Sequence, residues 1–127
     1  MHPSNQTPSF LKFLNEDDFI FLTIPLDFEN LLWGKEVPNG QTVELHNGDK
    51  TWLVRVRKRD DHCIFMDGWT KLVRDCCLKT KDVVLVKAIG SLSFIVSSFK
   101  ENIYENSYIL SKSYWKFVIQ ILYLNLA

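Results

Sequence analysis

The sequence predicts a mainly β domain, a seven-stranded open barrel with two short helices. Several short segments alternate apolar and polar residues, which is the period of a strand with one buried face. Turn-forming residues separate these segments at short intervals. The chain has 127 residues, of which 46% are hydrophobic and 13% aromatic, enough for one domain with its own core. Many short strands with few helices are typical of an antiparallel barrel, closed or nearly closed.

The first third of the chain is expected to contain two strands and one helix. Residues 1–8 are expected to form a flexible polar leader, and they lack the apolar segment of a secretion signal, so we do not expect secretion. The predicted elements that follow are a strand at 10–14, an acidic loop at 15–18 and a second strand at 19–24. Pro25 ends that strand and suits the first turn of a short helix, which the spacing of apolar residues extends to the vicinity of Gly34.

The rest of the chain divides at its turn signals. Asn47-Gly48 is a strong hairpin signal that joins two strands. The predicted elements are strands at 42–45, 50–58, 63–66, 83–89 and 92–99, and a short helix at 70–75. Residues 101–127 are expected to form a C-terminal extension of unknown role. Two predictions for it stay open: an extra helix or strand packed on the domain, or a segment that is not part of the fold. Its apolar run at 114–126 is shorter than the roughly 20 residues of a membrane-spanning helix.

Positive charge is concentrated at the end of one predicted strand. The chain has 15 basic and 15 acidic residues and no net charge, which argues against a purely electrostatic binder and leaves room for a local site. In the strand at 50–58, three apolar residues share the predicted inward face: Trp52, Val54 and Val56. Four cations lie on its outward face or at its end: Arg55, Arg57, Lys58 and Arg59. Clustered guanidinium groups suit phosphates and the edges of bases.

The number of cysteines and the spacing of potential catalytic residues argue against a disulfide-stabilised protein, a zinc protein and an enzyme. The three cysteines include an adjacent pair, a poor disulfide framework, so we expect a reducing compartment. A zinc site can be drawn from His62, Cys63, Cys76 and Cys77, but no C-x-x-C pair supports it. No spacing arranges a nucleophile with a base, and phosphate-binding and zinc-protease motifs do not occur. We therefore expect neither an enzyme nor a cofactor.

Seven short motifs occur in a fixed order along residues 9–99. They are Phe10-x-Lys12-Phe13, Ile24-Pro25-x-x-Phe28, Val43-x-Leu45 leading through the Asn47-Gly48 turn to Trp52-x-Val54-x-Val56, Gly68-Trp69, Leu72-Val73-x-Asp75, Leu78-x-x-Lys81-Asp82 and Phe94-x-Val96-x-x-Phe99. This series resembles the plant B3 DNA-binding domain family, in particular its reproductive-meristem, vernalization-type branch. The resemblance implies a domain over residues 9–100, with the barrel that the strand pattern also predicts. It further implies that two loops grip the major groove of DNA, one at residues 15–18 and the other at 58–62.

The resemblance implies a plant transcriptional regulator that binds double-stranded DNA in the nucleus. The candidate DNA-binding residues are Arg57, Lys58, Arg59 and His62 at the second loop, Lys12 and Asn15 at the first, and Lys71 on the second helix. Arg55 is expected to be structural, and Trp52 and Trp69 are expected to pack in the core instead of stacking on bases. We expect the protein to bind neither a membrane nor a small-molecule substrate. Besides DNA, the second class of partner that stays open is other proteins.

The acidic first loop and the apolar C-terminal run motivate an alternative function. Glu16, Asp17 and Asp18 would repel phosphates, so we expect weak or loosely specific DNA binding, although an acid can accept a hydrogen bond from cytosine. The alternative is a B3-like protein-interaction module that has lost DNA binding.

Overall fold

A computed structural model describes residues 7–102 and 107–110. Its strands are β1 (Ser9–Phe13), β2 (Leu22–Thr23), β3 (Thr42–Asn47), β4 (Lys50–Arg59), β5 (His62–Phe65), β6 (Val83–Gly90), β7 (Ser93–Asn102) and β8 (Ser107–Leu110). Its α-helices are α1 (Leu26–Leu32) and α2 (Trp69–Asp75), and a 3₁₀ turn spans Glu16–Phe19. The predicted fold class is confirmed, since seven strands form an open, curled barrel accompanied by two short helices.

The seven strands follow the order β1-β6-β7-β3-β4-β5-β2. The expectation of a wholly antiparallel barrel is wrong at one pair, because β3 and β7 run parallel, with Leu45 opposite Phe94. Parallel neighbours need a long crossover connection, and residues 48–92 provide one between these two strands. The other described pairs are antiparallel.

Strand β8 lies within the C-terminal extension and pairs with the end of β7. Phe99 is opposite Leu110 and Asn102 is opposite Ser107, in antiparallel register. The apolar run at 114–126, for which the sequence leaves the structure open, lies outside the described residues. So does most of the leader predicted at 1–8, of which residues 7 and 8 are described.

The core lies inside the curled sheet and follows the predicted alternation of β4. Val54 and Val56 have no exposed surface, and Trp52 is buried, while Leu53 and Arg55 between them are exposed. Trp69 is completely buried at the start of α2. The expectation that both tryptophans pack in the core is therefore confirmed. The inward side chains of β4, packed in this core, hold the strand in place.

The segment between β1 and α1 differs from the prediction. The strand predicted at 19–24 is wrong over most of its length, since only Leu22 and Thr23 pair with β5. The loop predicted at 15–18 is largely a 3₁₀ turn, held by a reciprocal cap at its start. The Asn15 side chain accepts a hydrogen bond from the Asp17 amide at 3.1 Å, and the Asp18 carboxylate accepts one from the Asn15 amide at 2.9 Å. Local capping outweighs the strand propensity of the aromatic residues here.

Candidate nucleic-acid interface

The β4–β5 hairpin presents cations at one end of the barrel. The two strands pair down to Arg59 opposite His62, so the turn contains only Asp60 and Asp61. Asp60 adopts a positive φ of 56°, which a tight hairpin turn requires at that position. Lys58 is exposed, as are all four residues from Arg59 to His62. The turn and the cations beside it are therefore open to solvent.

The backbone below these cations is held by the segment before β3. The Asn39 side-chain oxygen accepts a hydrogen bond from the Lys58 amide at 2.8 Å. The Gly40 amide donates to the Val56 carbonyl at 2.7 Å, and the Val56 amide donates to Gln41 at 2.9 Å. These bonds tie β4 to a second segment just before the hairpin turn. Sequence reasoning missed Asn39, because Pro-Asn-Gly indicates a turn but does not show which distant backbone its amide will reach.

The four cations in the second half of β4, Arg55, Arg57, Lys58 and Arg59, differ in their partners. Arg57 Nη2 lies 3.6 Å from an oxygen of Asp67, and Arg55 Nε lies 3.8 Å from the same oxygen. Lys58 and Arg59 have no carboxylate partner within the part of the chain that the structure describes. The end of the hairpin therefore carries the two cations that are available to an external anion, while Asp67 partly compensates the charge of the other two.

Arg59 contacts an aromatic ring instead of an acid. Its guanidinium carbon lies 5.0 Å from the centre of the Phe21 ring, within the range of a cation–π contact. Phe21 is half-buried and lies between the 3₁₀ turn and β2. The hairpin and the segment after the first loop thus meet at this side chain. No sequence pattern pointed to Phe21, because the two residues are far apart in the chain and aromatic residues are common in cores.

The first loop is less acidic toward solvent than its sequence suggests. Asp18 is only 6% exposed, and its carboxylate binds the Asn15 amide and lies 3.8 Å from the Lys12 ammonium. The buried Trp69 indole donates to the Asp18 carbonyl at 2.6 Å, which fixes the 3₁₀ turn against α2. Of the three acidic residues, Glu16 and Asp17 stay exposed. The negative charge that the loop presents to solvent is therefore that of two carboxylates.

The predicted site residues outside the hairpin have structural partners of their own. Lys12 is engaged by Asp18, and the Asn15 side chain caps the 3₁₀ turn, although Asn15 itself is exposed. The Lys71 ammonium lies 2.8 Å from Asp75 one turn along α2. This contact and the Trp52 indole at 2.9 Å lower the pKa of the Asp75 carboxyl. Lys71 nevertheless remains well exposed.

The described residues contain neither a metal-binding cluster nor a membrane-spanning helix. No three histidine, cysteine, aspartate or glutamate side chains come together there as metal ligands would. No helix in the described ranges is both long and apolar enough to cross a bilayer.

Comparison with known protein families identifies the domain. The model of the B3 DNA binding domain matches residues 10–102. The chain belongs to this family. Two rice (Oryza sativa) proteins are similar to this B3 domain. B3 domain-containing protein Os01g0723500 is 31% identical over 101 residues, which cover 72% of this chain, and Os12g0591400 is 30% identical over 95 residues, which cover 75%. The matched chain spans 25% of the first relative and 14% of the second.

Solved structures share the fold of this B3 domain. The Arabidopsis thaliana protein At1g16640.1 aligns with a TM-score of 0.63 at 24% identity, covering 77% of this chain and 94% of that one. The Arabidopsis FUS3–DNA complex aligns with a TM-score of 0.51 at 14% identity, covering 70% and 93%. The N-terminal domain of Helicobacter pylori LlaJI.R1 aligns with a TM-score of 0.55 at 12% identity, covering 89% of each chain. At these identities the likeness is one of fold.

Proposed function

We propose that this B3 domain binds double-stranded DNA and acts as a plant transcriptional regulator in the nucleus. The family of DNA-binding domains to which the chain belongs supports the proposal. So does the shared fold with FUS3, a protein whose structure was solved in complex with DNA. In this proposal the β4–β5 hairpin enters the major groove, which is about 12 Å wide and admits a two-stranded ribbon.

The single observation that carries the proposal is the pair of exposed cations at the hairpin end. Lys58 and Arg59 are exposed and, among the described residues, lack an acidic partner. In the proposal the flexible Lys58 ammonium neutralises a phosphate, and the planar Arg59 guanidinium reads a base edge, guanine being its usual partner. Arg57 and His62 support these contacts from the flanks of the same hairpin.

The first loop and α2 supply secondary contacts in the same proposal. Asn15 is exposed at the start of the 3₁₀ turn, and Lys12 and Lys71 provide positive charge toward the DNA backbone. Contacts to phosphate position a protein on the duplex but carry no sequence information directly. The exposed carboxylates of Glu16 and Asp17 oppose them by repulsion. We therefore propose modest affinity and low sequence specificity.

A selection from a random-sequence duplex library tests this function with the full chain. We expect the wild type to retain duplexes and to enrich a short sequence that includes a G·C pair. Arg59→Ala should relax the preference at one base pair, equivalent to about 1–3 kcal/mol of discrimination. Lys87→Ala is the matched control, because Lys87 is an exposed cation on β6, several strands away from the hairpin.

Two outcomes would contradict the proposal. The first is a wild-type chain that retains no duplex, which would favour the alternative of a protein-interaction module. The second is an Arg59→Ala variant that selects the same sequences as wild type and Lys87→Ala, which would remove the hairpin from base readout.

A further inference from the structure

The contact between Arg59 and Phe21 lies where the two DNA-facing segments meet. Phe21 precedes Leu22, which has no exposed surface and is opposite the buried Phe65 of β5. The backbone that carries the Phe21 ring is therefore anchored to the strand that forms the other half of the hairpin. The ring, in turn, has the Arg59 guanidinium 5.0 Å from its centre.

We propose that Phe21 is a positioning residue that holds the Arg59 guanidinium ready for base readout. This inference rests on the proposed DNA binding. A bidentate contact to a base needs both parallel N–H donors in one plane, so it is sensitive to how the guanidinium is oriented. A free arginine side chain loses much rotamer entropy when it is ordered, and contact with a ring before binding reduces that loss.

The same geometry distinguishes Arg59 from its neighbour. Within the described residues, Lys58 has no aromatic or acidic partner and keeps the freedom to follow a phosphate. The 3₁₀ turn just before Phe21 is itself fixed, since the Trp69 indole donates to the Asp18 carbonyl at 2.6 Å. Phe21 therefore ties the orientation of Arg59 to the position of the first loop. In this proposal Lys58 neutralises a phosphate and Arg59 reads a base, so the two functions can be tested separately.

A double-mutant cycle on the full chain tests this role. The probes are the duplex that the wild type enriches from the random library and an unselected random-sequence duplex. Phe21→Leu keeps an apolar side chain but removes the ring, and we expect it to weaken binding of the enriched duplex by about two- to fivefold. Binding of the random duplex should change less. Phe21→Tyr keeps the ring and should restore wild-type affinity, and Phe21→Leu should cause no further loss when Arg59→Ala is already present.

A measurement without DNA separates this inference from the proposed function. By NMR, the side-chain protons of Arg59 should show a ring-current shift that disappears in Phe21→Leu and persists in Phe21→Tyr. An equal loss of affinity on Phe21→Leu with and without Arg59 would show that Phe21 acts through the fold, and would overturn the inference alone. Unchanged Arg59 resonances in Phe21→Leu would also overturn it. If the wild type binds no duplex, both the proposed function and the positioning role fail, whatever the resonances show.

Discussion

Gly68 is the position where one added methyl group should do the most damage. It is the N-cap residue immediately before α2 and has a φ of +98°, a conformation that residues other than glycine rarely adopt. A Cβ atom at Gly68 would lie 2.1 Å from the backbone carbonyl oxygen of Leu53 and 3.3 Å from the Cα of Val54. Because these are backbone atoms of β4, no side-chain rotation relieves the contact. Gly68→Ala must move α2 away from the strand that carries the hairpin cations.

The size of the effect follows from two separate costs. The left-handed backbone costs a residue with a Cβ roughly 1–2 kcal/mol. Overpacking against a fixed neighbour adds roughly 1–3 kcal/mol. We therefore expect Gly68→Ala to lower the free energy of unfolding by about 2–5 kcal/mol, a large part of the 5–15 kcal/mol typical of a domain.

Gly40→Ala is the matched control for this prediction. Gly40 also has a positive φ, +82°, but a Cβ there would have no heavy atom within 4 Å. Its replacement should incur only the backbone cost. Urea unfolding of both variants, followed by tryptophan fluorescence, should give Gly68→Ala a clearly lower midpoint than Gly40→Ala. Equal midpoints would refute the reasoning, because they would mean that the close approach to Leu53 contributes nothing.

Two further predictions concern ionisable groups. Burial and the adjacent Glu29 carboxylate raise the pKa of the Cys63 thiol to about 12, whereas Cys77 is exposed. A thiol reagent at mildly alkaline pH should therefore label Cys77 rapidly and Cys63 only on unfolding, as read by mass spectrometry, and rapid labelling of Cys63 would contradict the packing of β5. The lowered pKa of Asp75 means that its carboxylate stabilises the folded state above the unfolded pKa of about 4, and that this contribution is lost as the pH falls through the folded value. The difference in unfolding free energy between wild type and Asp75→Asn should thus be largest near neutral pH and shrink in acid, and a pH-independent difference would show that charge plays no part.

The parts of the fold that were predictable are those set by local pattern. The alternation of Trp52, Val54 and Val56 predicted the buried face of β4, and the structure confirms it. Pro25 and the apolar spacing after it predicted a short helix, which the structure places at Leu26–Leu32. The resemblance to the B3 family is confirmed by a match over residues 10–102. The signals for β4 and for the helix lie within a few residues of the structure they specify, whereas the family resemblance depends on the order of motifs along the whole domain.

The parts that escaped prediction depend either on local capping or on contacts between distant residues. The sequence shows three consecutive acids at Glu16, Asp17 and Asp18, but cannot show that Asp18 turns inward to cap its own turn beside Lys12. Likewise, the parallel register of β3 and β7 depends on the path of the whole chain between them. The partners of the hairpin cations, Asp67 for Arg57 and Phe21 for Arg59, follow from that same packing. Capping and tertiary contact decide these features, and neither has a periodic signature.

The salt dependence of DNA binding by Lys58→Ala tests the central claim most directly. The measurement is the slope of log K against log salt concentration on a random-sequence duplex, for wild type, Lys58→Ala and Lys87→Ala. If Lys58 neutralises a phosphate, its removal should reduce the magnitude of the slope by about 0.9, and Lys87→Ala should leave it unchanged. A wild-type affinity that does not vary with salt, or equal slopes for all three proteins, would contradict the claim that the hairpin end meets the DNA backbone.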